Sequence, residues 1–159
     1  MAIIDLVRQL PTHPTKEYPR RPITAIQYLV LHHAAGPENQ TPFEIARFHV
    51  ETRQWPGISY HYLISTAGQV YKVNYATTVS WCVAGQNTKS LCVCLIGNRE
   101  VNPIPDAQYV AAVDLFRDLR RAYAIPIERV VGHREMQGQA TACPGKFIGL
   151  NTFRGDVGA

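Results

Sequence analysis

Three shortages narrow the reading of this 159-residue chain before any motif is found. Charged residues make up only 18% of it, and both intrinsic disorder and coiled coil call for more. Long apolar runs are missing. Tyr28–Leu31 and Leu91–Ile96 are a handful of residues each, far from the about 20 that a membrane helix requires, so no transmembrane segment is expected. Runs of five Lys or Arg are also missing. The net charge of +4 therefore draws the chain to polyanions in general, without marking a specific nucleic-acid site. Asp5 interrupts the first apolar stretch and no basic segment precedes it, unlike a secretion signal. Synthesis in the cytoplasm is the expectation. Neither an internal repeat nor a low-complexity segment occurs, and the length suits one domain.

Four cysteines are present: Cys82, Cys92, Cys94 and Cys143. In a chain read as cytoplasmic, metal binding, catalysis or burial rank ahead of a disulfide framework. A bridge between Cys92 and Cys94, two apart on one strand, is geometrically awkward.

Residues 1–22 form a distinct opening stretch. They carry Pro11, Pro14, Pro19 and Pro22, and Arg8, Lys16, Arg20 and Arg21 against Asp5 and Glu17, a balance of 4 − 2 = +2. A short helix over residues 3–10 is expected, followed by an extended arm laid over the domain. The arm reads first as a structural wrap and second as an electrostatic contact with an anionic envelope. Residues 23–159 are expected to form the domain itself.

Within it, Ile26–Leu31 is apolar on both faces and reads as a buried central strand ending at His32 and His33. Thr41, Pro42 and Glu44 combine an N-cap, a first-turn proline and a capping-box glutamate, predicting a helix to about Arg53. His49 is expected on that helix's surface. Ser59–Thr66 and Gln69–Val73 flank Ala67-Gly68 as a hairpin. Leu91–Ile96 is a second buried strand. Apolar residues recur at helical spacing from Pro105 to Tyr123, and Arg129–Gly132 is a short strand that delivers His133. Interleaved strands and helices predict an α/β domain with one central mixed sheet flanked by helices.

His32 and His133 both stand at strand exits, and Cys143 follows in Ala142-Cys143-Pro144-Gly145. Two imidazoles and a thiolate suit zinc, and three protein ligands leave a fourth position for a water whose pKa the metal lowers. Taken singly, each residue has a blander explanation: a strand-end histidine is commonly packed or solvated, and a lone cysteine is commonly core. The alternative chemistry makes Cys143 a nucleophile with His133 as its base.

Four segments in order decide what spacing alone does not: Val30-Leu31-His32-His33-Ala34-Ala35-Gly36, Ser59-Tyr60-His61-Tyr62-Leu63-Ile64, Val131-Gly132-His133-Arg134-Glu135 and Thr141-Ala142-Cys143-Pro144-Gly145. Together they resemble the zinc-dependent type 2 N-acetylmuramoyl-L-alanine amidases, which include phage lysozyme-type amidases and peptidoglycan recognition proteins. The resemblance covers about residues 26–150. The His-His-Ala-Ala-Gly-Pro segment and the basic, proline-rich lead-in are most similar to small endolysins of phages infecting thermophilic bacteria.

The resemblance implies one Zn2+ per chain held by His32, His133 and Cys143 in a surface groove. It places Tyr60 beside the zinc water, and Thr141 where the catalytic recognition proteins have threonine; either hydroxyl could serve a developing oxyanion. Tyr60 is the first candidate for the proton shuttle to the leaving amine and Glu135 a distant second, with solvating or orienting the site as its alternative. Trp81 and Asn87 are assigned to the substrate edge, as is His33, for which a structural role is the alternative; the same two readings stand ahead of ligation for His61. The implied reaction is hydrolysis of the amide between N-acetylmuramic acid and L-alanine, by a monomer acting on peptidoglycan in the cell wall or periplasm. A non-catalytic peptidoglycan-binding module and a cytosolic muropeptide-recycling amidase are the alternatives. One departure stands out. Many members have histidine where this chain has Cys82, which reads as a replacement, a surplus thiol or a fourth soft ligand. Cys92 reads as core packing.

Overall fold

The computed structural model describes residues 1–159. Six strands form one mixed sheet: β1 (Ile3–Asp5), β2 (Tyr28–His33), β3 (Tyr62–Ile64), β4 (Val70–Lys72), β5 (Ser90–Leu95) and β6 (Val130–Gly132). Their order across the sheet is β1-β4-β3-β5-β2-β6. Only the β3–β4 hairpin pair is antiparallel. The helices are α1 (Pro42–Arg47), α2 (Asp106–Ala122) and α3 (Leu150–Gly158). This is the expected mixed α/β domain.

Strand alternation sorts the core into two faces. Leu29 and Leu31 of β2, with Leu91, Val93 and Leu95 of β5, pack on one face against Phe116 of α2 and Phe153 of α3. The two phenyl rings meet edge to face at 4.9 Å. Burying each contributes roughly 1.5–3 kcal/mol. On the other face, Cys94 and Leu63 pack beneath Ile45 and Ala46 of α1, while Val30 and Cys92 meet Cys82, Val83 and Met136. His32 belongs to this second face.

The cap of α1 forms as its sequence dictates: the Thr41 hydroxyl accepts from the Glu44 amide at 3.2 Å. The helix then widens into a π-helical turn over Phe48–Thr52. A π-turn carries more residues per revolution, so it rotates the following side chains out of α-helical phase. His49 is thereby turned inward and is buried, correcting the expected surface position. Its Nδ1 accepts from the Ser59 amide at 3.1 Å.

The opening segment also departs from expectation. Residues 3–5 are a strand, not part of a helix, and pair in parallel with β4. Ile3, Ile4 and Asp5 are exposed, and the free edge of β4 supplies backbone partners that an isolated short helix would lack. The rest of the arm is extended and stitched down. The His13 amide donates to Pro56 O, the Arg21 amide to Thr77 O, and Pro19 O accepts from Val79. The Arg21 guanidinium is buried and donates to the carbonyls of Ala76, Asn87, Thr88 and Ser90.

Cys82 and Cys92 form a disulfide with a Cα–Cα distance of 6.6 Å. This corrects the readings of Cys82 as a free or metal-binding thiol and of Cys92 as packing alone. Sequence proximity singles out Cys92 and Cys94, whereas the bridge depends on the loop before β5 folding back over the sheet. Closing a loop of this size constrains the unfolded chain by about 3 kcal/mol. Cys94 and Cys143 remain free and buried.

Candidate metal centre and groove

Parallel pairing of β2 with β6 positions the two histidines. Leu31 is in register with Gly132, so one further step along each strand brings His32 beside His133. Their ring centroids are 4.6 Å apart. Both lie at the carboxyl ends of parallel strands, where loops open a crevice.

Cys143 arrives on a loop that needs two glycines. A Cβ at Gly132 would sit 2.9 Å from Pro144 Cδ and 2.6 Å from Leu150 Cδ1, so the bare backbone of β6 admits the loop. Gly145 has φ +103° and its missing Cβ faces the Arg99 backbone at 2.4 Å. Arg134 ties the loop down: its amide donates to Cys143 O at 2.8 Å, and its guanidinium donates to the carbonyls of Gly145 and Ile148.

The result is one cluster. Donor atoms of His32, His133 and Cys143 all lie within 4.8 Å of one another. The Cys143 sulfur is 3.7 Å from His32 Nδ1. Zinc bond lengths and tetrahedral angles put a nitrogen–sulfur edge at about 3.6 Å, so the donor set fits such an ion. Burial drives the His32 pKa well below its ordinary value, with the neighbouring histidines adding to it, and it lowers that of His133. Both rings are therefore neutral and offer lone pairs. Burial pushes the Cys143 thiol up to about 12.

Tyr60 stands next to the cluster, its ring 5.3 Å from that of His32. Burial, reinforced by Cys94 and Cys143, raises its pKa well above the phenolic value, so it keeps its proton. The Thr141 hydroxyl accepts from the Cys143 amide at 3.1 Å, leaving its own proton free to donate. These residues line a groove of about 730 Å³, together with Phe48, Arg53, Trp55 and Trp81. Phe48 and Trp81 are exposed on its rim, and Trp81 meets Trp55 edge to face at 6.4 Å.

The remaining candidates divide between the groove and the framework around it. His33 lines the groove, but its Nδ1 accepts from the Arg99 amide at 3.0 Å. Asn87 also lines it, with Oδ1 accepting from the Val83 amide at 2.7 Å. His61 is structural: Nδ1 accepts from the Cys92 amide and Nε2 reaches Thr78 O. Glu135 accepts from the Gly132 amide and forms a two-pronged ion pair with Arg154. Burial alone would raise its pKa, yet these partners outweigh that and hold it below the usual carboxylate range. Glu135 is committed to structure, away from proton transfer. Sequence reasoning missed Gln139, Arg53 and Trp55, none of which carries a periodic or motif signal. A second hollow of about 360 Å³ lies under the arm and contains none of the candidate donors.

The profile of the N-acetylmuramoyl-L-alanine amidase family, Amidase_2, matches residues 21–146. The chain belongs to this family. Among solved structures of the amidase fold, the endolysin of Thermus scotoductus MAT2119 bacteriophage Ph2119 is similar at 31% identity and a TM-score of 0.83, over 99% of this chain and 100% of that one. N-acetylmuramoyl-L-alanine amidase LysC from Clostridium intestinale URNW shares the fold at 23% identity and a TM-score of 0.83, over 100% and 99% of the two chains. Peptidoglycan-recognition protein SC2 of Drosophila melanogaster is 29% identical over 131 residues, 77% of this chain and 70% of that protein.

Proposed function

We propose that this amidase-family chain hydrolyses the amide bond between N-acetylmuramic acid and L-alanine with zinc, as a monomeric endolysin of phage type. The carrying observation is the convergence of His32, His133 and Cys143 donors at the floor of a groove, beside Tyr60. When bound, zinc supplies Lewis acidity for the carbonyl and for the attacking water.

The chain's own residues do the rest. His32, His133 and Cys143 hold the metal on a rigid base of paired strands and an arginine-fastened loop. Tyr60 and Thr141 direct hydroxyl protons toward the oxygen that becomes negative as the carbonyl is attacked. Tyr60 also relays to the departing nitrogen of L-alanine the proton that the attacking water loses, so that it begins and ends the turnover as a phenol. Trp81, His33 and Asn87 border the glycan and peptide. Arg8, Lys16 and Arg20 of residues 1–22 contribute a contact with the anionic envelope, while residues 23–159 carry catalysis. No helix is long and apolar enough to cross a membrane. The proposed place of action is the cell wall, reached from the host cytoplasm.

The test is incubation with purified sacculi, with chelator and then with restored zinc, reading new termini by mass spectrometry. Free L-alanine amino termini that vanish with chelator and return with zinc are expected. Zinc-independent cleavage within the peptide would point to Cys143 as a nucleophile. Sacculi that retain the protein uncut would make it a binding module.

A further inference from the structure

Between the metal-site histidine and the disulfide-anchored loop lies a single side chain, Gln139. Its Oε1 is 3.0 Å from His133 Nε2. Its amide nitrogen donates to Ala84 O at 2.8 Å and to Gln137 O at 3.4 Å. Those two carbonyls decide which way the amide faces. Turning it over would aim Oε1 at two oxygens that can only accept, and would aim the amide hydrogens at the ring.

Oε1 can itself only accept, so His133 Nε2 must carry a hydrogen. In a neutral imidazole the lone pair then sits on Nδ1. The Ala84 carbonyl is itself well held. Cys82, two residues earlier, is bonded to Cys92 in β5, and the Val83 amide donates to Asn87 Oδ1 at 2.7 Å. The loop therefore acts on His133 through Gln139.

We propose that Gln139 is a positioning residue: held by Ala84, it fixes His133 as the Nε2–H tautomer and presents Nδ1 to the metal. This rests on the metal reading of His32, His133 and Cys143. Partners of this kind typically change metal affinity about 10–100-fold when removed. They also remove an alternative tautomer that would have to be converted before each binding event.

The experiment compares the wild type with Gln139→Met, which keeps length but cannot accept, and Gln139→Glu, which keeps an acceptor toward the ring while giving up the bond to Ala84. Nitrogen-15 NMR of the metal-free proteins reads the His133 tautomer, and competition with a chromophoric chelator reads zinc affinity. The expected result is Nε2–H in the wild type and in Gln139→Glu. For Gln139→Met it is a mixture of tautomers, with zinc affinity weakened by about 10–100-fold. A wild-type His133 protonated at Nδ1 overturns the role of Gln139 whatever the variants do, as does unchanged zinc affinity in Gln139→Met. A wild type that takes up no zinc overturns the metal reading itself, and the proposal with it, so the two failures are told apart.

Discussion

The backbone amide of His33 donates to the Cys143 sulfur at 3.4 Å, joining the exit of β2 to a loop 110 residues away. The contact orients the thiol before any metal is present, since a weak sulfur acceptor is aimed by a fixed N–H. Cys143→Ser should preserve the fold, because the hydroxyl can take the same amide. It should lose zinc and lytic activity together, since a hydroxyl is a far poorer zinc ligand than a thiolate. Zinc content by plasma emission and turbidity loss of sacculi would check this. A serine variant that lyses at the wild-type rate would remove Cys143 from the centre.

Tyr60→Phe separates metal holding from proton handling. The ring keeps its place beside His32, so zinc content should be unchanged. Loss of a single donor to a developing oxyanion lowers turnover by about 100–1,000-fold. A phenylalanine variant with full turnover would leave Thr141 as the remaining hydroxyl for that task.

Buried histidines make folding stability depend on pH, His61 and His49 among them. Burial lowers the pKa of His61 to about 3 and that of His49 to about 4, and each ring accepts a backbone amide only when neutral. The unfolded chain binds these protons near pH 6.5, so stability is full above that value. It should fall as pH drops from about 6.5 toward 4 and then 3. For His49 the gap corresponds to about 3 kcal/mol. Thermal melting of the metal-free protein between pH 7 and 4 would show a falling midpoint, and a flat profile would contradict the assignment.

The arm is held by a buried charge. Arg21→Ala leaves four carbonyls without their shared donor, and the loss should be about 3 kcal/mol by urea unfolding. Deleting residues 1–22 should therefore destabilise the domain as well as remove Arg8, Lys16 and Arg20. Replacing those three by Gln isolates the electrostatic part. That variant should lose little stability, chiefly the exposed bond from Lys16 to Gln54 O, but bind sacculi less, with the difference fading at high salt. Equal binding at low salt would leave the arm as a wrap alone.

Elements whose signal is local could be read from the chain. The β2 and β5 runs, the Thr41 cap, the hairpin around Gly68 and the α2 periodicity all appear within a few residues of their expected places. Each follows from propensity and pattern over a short window. The misreadings share a different cause. The strand at Ile3–Asp5 exists because β4 offers a free edge, the inward turn of His49 depends on a π-helical turn, and the Cys82–Cys92 bridge depends on a loop closing over β5.

The same division runs through the site. Sequence alone determined the donor inventory: two histidines at strand exits, a cysteine in a proline–glycine loop, and a tyrosine near the start of a hairpin strand. Motif chemistry is a property of residue type and order, so it survives without coordinates. Tertiary structure alone decided that parallel register sets His32 beside His133, that Gly132 lets the Cys143 loop approach, and that Glu135 is consumed by Arg154. It also placed Gln139 between His133 and Ala84. Those outcomes rest on distances between residues far apart in the chain, which only packing of the whole sheet and its loops can set.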